Sequence, residues 1–136
     1  MKSFTLKIVT PDGVQYDGQA EELVVRTVAG DLGILAGHIN TVAPLGMGQA
    51  MVLTEGQKRY GACIGGMVSV VNGAVTLVPT TFEWADKIDV ARAEASKKRA
   101  ETVLQNKNAT DTEIALAEAR LKRALVRTSV ATYKPR

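Results

Sequence analysis

The sequence predicts an α+β chain: an N-terminal antiparallel β-sandwich over residues 1–86, then a C-terminal antiparallel two-helix hairpin over residues 87–136. Up to Glu83, short β-branched and apolar runs are broken by Gly, Pro and Asn at intervals of about 8 to 12 residues, the rhythm of a sandwich or flattened barrel. From Ile88 onward, alanine, charged residues and spaced aliphatics take over, and no glycine or proline intervenes before Pro135. That is helical composition. No parallel crossover helix can be placed in the first 80 residues, so the sheets close by hairpins.

Phe4, Leu6 and Ile8 alternate with polar residues as a half-buried strand does, and Thr10-Pro11-Asp12-Gly13 supplies a turn. A short strand, Val14 to Tyr16, meets a second turn at Asp17-Gly18, and Glu21 to Val28 is a further β-rich run. The stretch Gly30 to Asn40 reads as the least regular part of this half, with Gly30, Gly33 and Gly37 suited to bulges and positive-φ turns at a sheet edge. Gly48 to Leu53 and Lys58 to Ile64 flank a hairpin loop at Thr54-Glu55-Gly56-Gln57. Gly65-Gly66 opens Met67 to Val71, and Asn72-Gly73 is a strong hairpin signal before Ala74 to Val78.

The tail reads as two helices. Asp86 or Asp89 caps the first, which runs to about Gln105; Asn106-Lys107-Asn108 is a polar loop. Thr110-Asp111-Thr112-Glu113 fits a capping box opening a second helix to about Ala131. So short a loop makes the pair antiparallel. Ile114, Ala117, Leu121, Ala124, Leu125 and Thr128 share one face of the second helix. Large aliphatics are few, chiefly Ile88, Val103, Leu104, Ile114, Leu121 and Leu125, so the hairpin is expected to be marginal by itself and open to control by a ligand or partner.

Composition narrows the function classes. Residues 1–86 carry five Lys and Arg against eight Asp and Glu, whereas residues 87–136 carry twelve against six, so a slightly acidic half is followed by a basic tail suited to an acidic partner. Cys63 is the only cysteine, which excludes an internal disulfide and suits a reducing compartment; it reads as a buried strand residue. No stretch approaches the roughly 20 apolar residues of a membrane span, and the alternating N-terminal segment is neither signal peptide nor anchor. Membrane association is therefore expected only through a complex.

The glycine segment lacks the Gly-Lys-Ser/Thr ending of a phosphate-binding loop and is followed by no amphipathic helix. His38 is the only histidine, with no cysteine nearby, so no metal site is expected, and no convergent nucleophile and base can be assembled. The chain reads as a non-catalytic protein. Nucleic acid is a poor partner, because six acids interleave the basic tail and Tyr133 is its only aromatic.

The arginines point to a ligand. Arg92 and Arg99, seven residues apart, share a face of the first helix beside Ile88, Ala95 and Val103, inside the expected contact stripe. Arg120, Arg123 and Arg127 form a stripe at the edge of the apolar face of the second helix. Read from the residues alone, they fit either a solvated face whose stems cover alanine or, with the hairpin closed, a set of guanidiniums converging on one polyanion.

Taken in order, the β-sandwich, Gly30-Asp31-Leu32-Gly33-Ile34-Leu35 with Gly37-His38, Gly65-Gly66 before Met67 to Val71, and a hairpin opened by Ile88-Asp89-x-x-Arg92-Ala93 resemble the epsilon subunit of the bacterial F-type ATP synthase. The resemblance covers essentially the whole chain. It implies a non-catalytic rotor subunit of the central stalk, peripheral on the cytoplasmic face of the bacterial cell membrane, that helps couple proton translocation to rotary ATP synthesis. The sandwich would bind the gamma subunit and the c-ring, with Asp31 and His38 as rotor contacts. The tail would either fold or extend into the catalytic head of alpha and beta subunits, where Lys122, Arg123 and Arg127 would contact beta and block ATP hydrolysis.

The resemblance also implies that ATP, as a regulatory ligand and not a required cofactor, stabilises the folded hairpin. Glu83, Ile88, Asp89 and Ala93 would hold adenine and ribose, and Arg92, Arg99, Arg123 and Arg127 the phosphates. Trp84, next to Glu83, would then report binding by fluorescence. The rival assignment is a freestanding ATP-sensing binding module, separated from the first by whether the sandwich binds gamma.

Overall fold

The computed structural model describes residues 2–135. They form two compact units, divided between Trp84 and Ala85. The first holds ten strands: β1 (Phe4–Thr10), β2 (Gly13–Ala20), β3 (Glu22–Thr27), β4 (Gly30–Leu35), β5 (Thr41–Pro44), β6 (Met47–Thr54), β7 (Gln57–Ile64), β8 (Met67–Val71), β9 (Ala74–Val78) and β10 (Thr81–Trp84). They build two five-stranded sheets in the orders β2-β1-β9-β8-β5 and β10-β7-β6-β3-β4. Every pairing is antiparallel except β1 with β9, which is parallel. The N-terminal strand thus enters the sheet beside a strand near the end of the unit, a long-range pairing that no local turn signal announces.

Alternation decides which face is buried. Phe4, Leu6 and Ile8 of β1, Leu23 and Val25 of β3, Val68 and Val70 of β8, and Val75 and Leu77 of β9 are all buried in the inter-sheet core, with polar or half-exposed residues between them. Two hairpins turn on two-residue loops with both residues at positive φ, Glu55-Gly56 at 52° and 75° and Asn72-Gly73 at 49° and 84°. That geometry matches the twist of the flanking strands. Gly66 is the strictest glycine: its φ is 96° and a Cβ there would stand 2.0 Å from the carbonyl oxygen of Val78.

Trp84 closes one end of the sandwich. Its indole Nε1–H donates to the carbonyl of Gln15 on the other sheet at 3.2 Å, Phe82 meets it edge to face at 4.9 Å, and the Arg59 guanidinium carbon stands 3.8 Å from the ring centroid. Because neighbours on a strand point to opposite faces, the 8 % exposed Trp84 faces inward with Phe82, while Glu83 faces outward. Trp84 and Glu83, neighbours in sequence, are therefore directed to opposite faces of the sheet.

Three other expectations change. The segment Gly30 to Leu35 is a regular edge strand in unbroken register with β3, and irregularity is confined to positive φ at Gly30 and Gly37. The strands β5 and β10 were not expected; both are four residues long and lack a periodic pattern of their own. The second unit starts with a 3₁₀ turn, Ala85–Lys87, before α1 (Val90–Gln105) and α2 (Asp111–Thr132).

Candidate functional site

Each helix of the hairpin starts on the cap its sequence encodes. The Asp89 carboxylate accepts from the Arg92 backbone N–H at 3.0 Å. At α2 the capping box is complete: Thr110 Oγ1 accepts from the Glu113 N–H at 3.1 Å and Glu113 Oε1 from the Thr110 N–H at 3.2 Å. Asn106 ends α1, and Asn106 Oδ1 accepts from the Asn108 N–H within the loop.

The buried line of the hairpin is alanine. Ala93 and Ala100 on α1, and Ala117 and Ala124 on α2, are each no more than 3 % exposed and lie seven residues apart, two turns of helix. Ile114, Leu121 and Thr128 are half-buried beside them, but Leu125, expected on this face, is 46 % exposed. The expected contact stripe is therefore shifted by one residue: Arg92 and Arg99 precede the buried alanines and are exposed on one side of them, with Ala95 exposed as well. Small side chains let the helix backbones approach closely and leave the neighbouring long side chains to line the groove.

The two arginine stripes share a flank. At about 100° per residue, the position before a contact residue lies to one side of the contact line, and in two antiparallel right-handed helices that side is the same flank for both. Arg92 and Arg99 precede Ala93 and Ala100; Arg123 precedes Ala124, with Arg120 and Arg127 one turn away on the same side of α2. Counted outward from the loop at about 1.5 Å per residue, Ala93 falls about level with Ala124 and Ala100 with Ala117, so the two stripes overlap along the axis. Among the described residues, Arg92, Arg99, Arg120 and Arg123 make no ion pair. Lys122 is exposed on the far side of α2 from this flank.

Of the other expected contacts, Ile88 is half-buried and sits at the entry to α1, Asp89 retains a second carboxylate oxygen beyond the one that caps the helix, and Ala93 is buried on the alanine line. Glu83 lies in β10 of the first unit. The expected rotor contacts do not form one cluster. Asp31 is the second residue of edge strand β4 and pairs with Arg26 across to β3, Arg26 Nε donating to Oδ1 at 2.7 Å. His38 lies beyond the other end of that strand, its Nδ1 2.8 Å from the Ile39 carbonyl oxygen. At about 3.3 Å per residue the two are separated by the length of β4.

Sequence reading missed a surface. On the outer face of the β2-β1-β9-β8-β5 sheet, Pro44, Met67 and Val78 are directly cross-strand, with Val42 and Val71 beside them. All five are exposed, Val42 to 66 %. Contiguous exposed apolar surface marks an interaction site; in the sequence these positions look like ordinary strand residues. Among the described residues no group of three His, Cys, Asp or Glu is placed to hold a metal ion, and no helix is long and apolar enough to cross a membrane.

Comparison with known proteins gives this geometry a family. Residues 3–85 match "ATP synthase, Delta/Epsilon chain, beta-sandwich domain", and residues 86–132 match "ATP synthase, Delta/Epsilon chain, long alpha-helix domain". The chain belongs to the ATP synthase delta/epsilon family. The ATP synthase epsilon chain of Bacillus velezensis is 47 % identical over 131 residues, covering 96 % of this chain and 98 % of that one. The epsilon chain of Ruminococcus albus is 42 % identical over 135 residues, covering 98 % and 100 %. Among solved structures, a chain of the Euglena gracilis mitochondrial ATP synthase, in an OSCP/F1/c-ring assembly, superposes with a TM-score of 0.83 at 22 % identity, over 96 % of this chain and 82 % of that one. A chain of the Tetrahymena thermophila central stalk and c-ring gives 0.62 at 14 %, covering 96 % and 98 %. These structures share the delta/epsilon fold, and the epsilon chains extend the likeness over the hairpin that carries the arginines.

Proposed function

We propose that this delta/epsilon family member is a non-catalytic rotor subunit of the central stalk of a proton-translocating ATP synthase, peripheral on the cytoplasmic face of the membrane, whose helical hairpin is a regulatory arm stabilised in its folded state by ATP. The sandwich engages the gamma subunit and c-ring. The arm, when extended, meets alpha and beta subunits and restrains ATP hydrolysis. The observation that carries the regulatory part is the shared flank of Arg92, Arg99 and Arg123, guanidiniums with no ion pair among the described residues, on a hairpin whose buried line is mostly alanine. The exposed apolar face of Val42, Pro44, Met67, Val71 and Val78 favours a subunit with a protein partner over a freestanding ATP sensor.

The chemistry is that of a population shift. Guanidiniums on one flank repel each other when the hairpin is closed and empty, and a polyphosphate removes that repulsion with charge-assisted hydrogen bonds. A ligand that binds only the folded arm stabilises it by about 2.7 kcal/mol at a hundredfold excess over Kd. Falling ATP therefore releases the arm to its competing partners, whose own contacts favour extension.

Titration calorimetry on the isolated chain tests the reading, with ATP, ADP and the double variant Arg92→Ala/Arg123→Ala. Saturable ATP binding that the double variant loses, with the sandwich still folded, is expected. Absence of binding at millimolar ATP, or equal affinity in the variant, refutes the ATP-gated arm. Failure of the isolated sandwich unit's apolar face to bind gamma, read with Met67→Asp as control, refutes the rotor assignment.

A further inference from the structure

We propose that Ser96 and Arg120 form a clamp for the terminal phosphate and set the preference of the hairpin for a nucleoside triphosphate over a diphosphate. This rests on the reading of the hairpin as a nucleotide site and extends it to two residues outside the set expected from sequence.

The placement follows from the alanine line. Ser96 is three residues after Ala93 and four before Ala100, which puts it on the arginine side of α1 but closer to α2 than Arg92 or Arg99. Arg120 is three residues after Ala117 and four before Ala124, the equivalent position on α2. With Ala93 level with Ala124 and Ala100 with Ala117, Arg120 stands about one residue, ~1.5 Å, from the level of Ser96. The two positions therefore face each other across the groove on the flank that carries the other arginines.

Both groups are uncommitted. The hydroxyls of Thr102 and Thr132 are back-bonded to the carbonyls of Lys98 and Thr128, whereas the hydroxyl of Ser96, like that of Thr128, makes no hydrogen bond among the described residues. Ser96 is half-buried, and Arg120 is exposed with no ion pair among the described residues.

Distance along the axis assigns them to the far phosphate. If Ile88 and Asp89 hold the base and ribose, Arg92 and Arg123 lie about 6 to 9 Å further along the hairpin, Ser96 and Arg120 about 12 to 14 Å, and Arg99 about 16 Å, at ~1.5 Å per residue. A diphosphate held by Arg92 and Arg123 ends short of the Ser96–Arg120 level; a third phosphate reaches it. There an arginine fork and a hydroxyl donor meet oxygens that only the triphosphate has.

Calorimetry on the full chain with ATP, ADP and inorganic tripolyphosphate tests this. The unaltered chain is expected to bind ATP more tightly than ADP and to bind tripolyphosphate measurably. Arg120→Ala should weaken ATP and tripolyphosphate about tenfold and leave ADP within about twofold, as expected for loss of a charged hydrogen bond. Ser96→Ala should cost ATP about threefold, and Arg120→Lys should restore only part of the loss because it lacks the fork. Helical circular dichroism should be unchanged in all three, since both positions tolerate alanine in a helix. Equal losses for ATP and ADP, or no loss for either, overturn the clamp while leaving the nucleotide site standing. Absence of binding of any of the three anions by the unaltered chain overturns both.

Discussion

The alanine line gives a sharp test of how the hairpin closes. Ala117 and Ala100 are each 3 % exposed, so Ala117→Leu forces three extra carbon atoms into a closely packed line of small side chains. Overpacking of this kind costs about 1 to 3 kcal/mol. Since ~1.4 kcal/mol is tenfold, the ratio of closed to open hairpin should fall by about 5- to 150-fold, and a ligand that binds only the closed form loses apparent affinity in proportion to the closed fraction. Hydrogen exchange should show faster opening in α1 and α2 with β1 to β9 unchanged, and calorimetry a weaker apparent ATP affinity, although residue 117 is not itself a proposed ligand contact. Ala115→Leu, on the exposed side of the same helix, is the control and should change neither. Parent-like exchange and ATP affinity in Ala117→Leu would show that the alanines are not the closing contact.

Other consequences concern the sandwich. A methyl at Gly61 would stand 2.5 Å from Phe82 Cζ, and Phe82 is buried against Trp84, so Gly61→Ala should lower the denaturation midpoint by the equivalent of about 1 to 3 kcal/mol without altering α1 or α2. Trp84 emission should report unfolding of the sandwich and stay constant through an ATP titration, because the indole is held by Gln15, Phe82 and Arg59; an ATP-dependent change would place it in the site after all. Burial pushes the Cys63 thiol from 9.0 up to about 12. Its neutral form is favoured by folding, so its contribution is fully present below pH 9 and is lost as pH rises toward 12. Alkylation of Cys63 at pH 8 should therefore track global unfolding, and rapid modification of the folded chain would refute its burial.

Local signals were legible in the sequence because their physics is local. The loops Glu55-Gly56 and Asn72-Gly73, the Asp89 cap and the Thr110–Glu113 capping box depend on residues within a few positions of one another, and each occurs where its residue types require. The same holds for the identity of the arginines. Their environment was not legible: a one-residue shift of the contact line, from the expected Arg92 and Arg99 to Ala93 and Ala100, turns cations in a contact into cations beside one. Periodicity gives a helix face only to within about a residue, and here the small size of alanine, which large-aliphatic counting overlooks, decides the contact.

By itself the sequence determined seven of the short strands and the turns that punctuate them, two capped helices, a basic tail after a slightly acidic half, and the arginine spacing from which a polyanion site can be argued. Tertiary structure alone decided the parallel pairing of β1 with β9, the inward turn of Trp84 away from Glu83, the exposed row of Pro44, Met67 and Val78, and the burial of Ala93, Ala100, Ala117 and Ala124 between the helices. The division has one cause. Backbone hydrogen bonding within a turn or cap is settled over three or four residues, whereas which faces are buried, and which side chains end up opposite each other, depends on pairings between segments far apart in the chain.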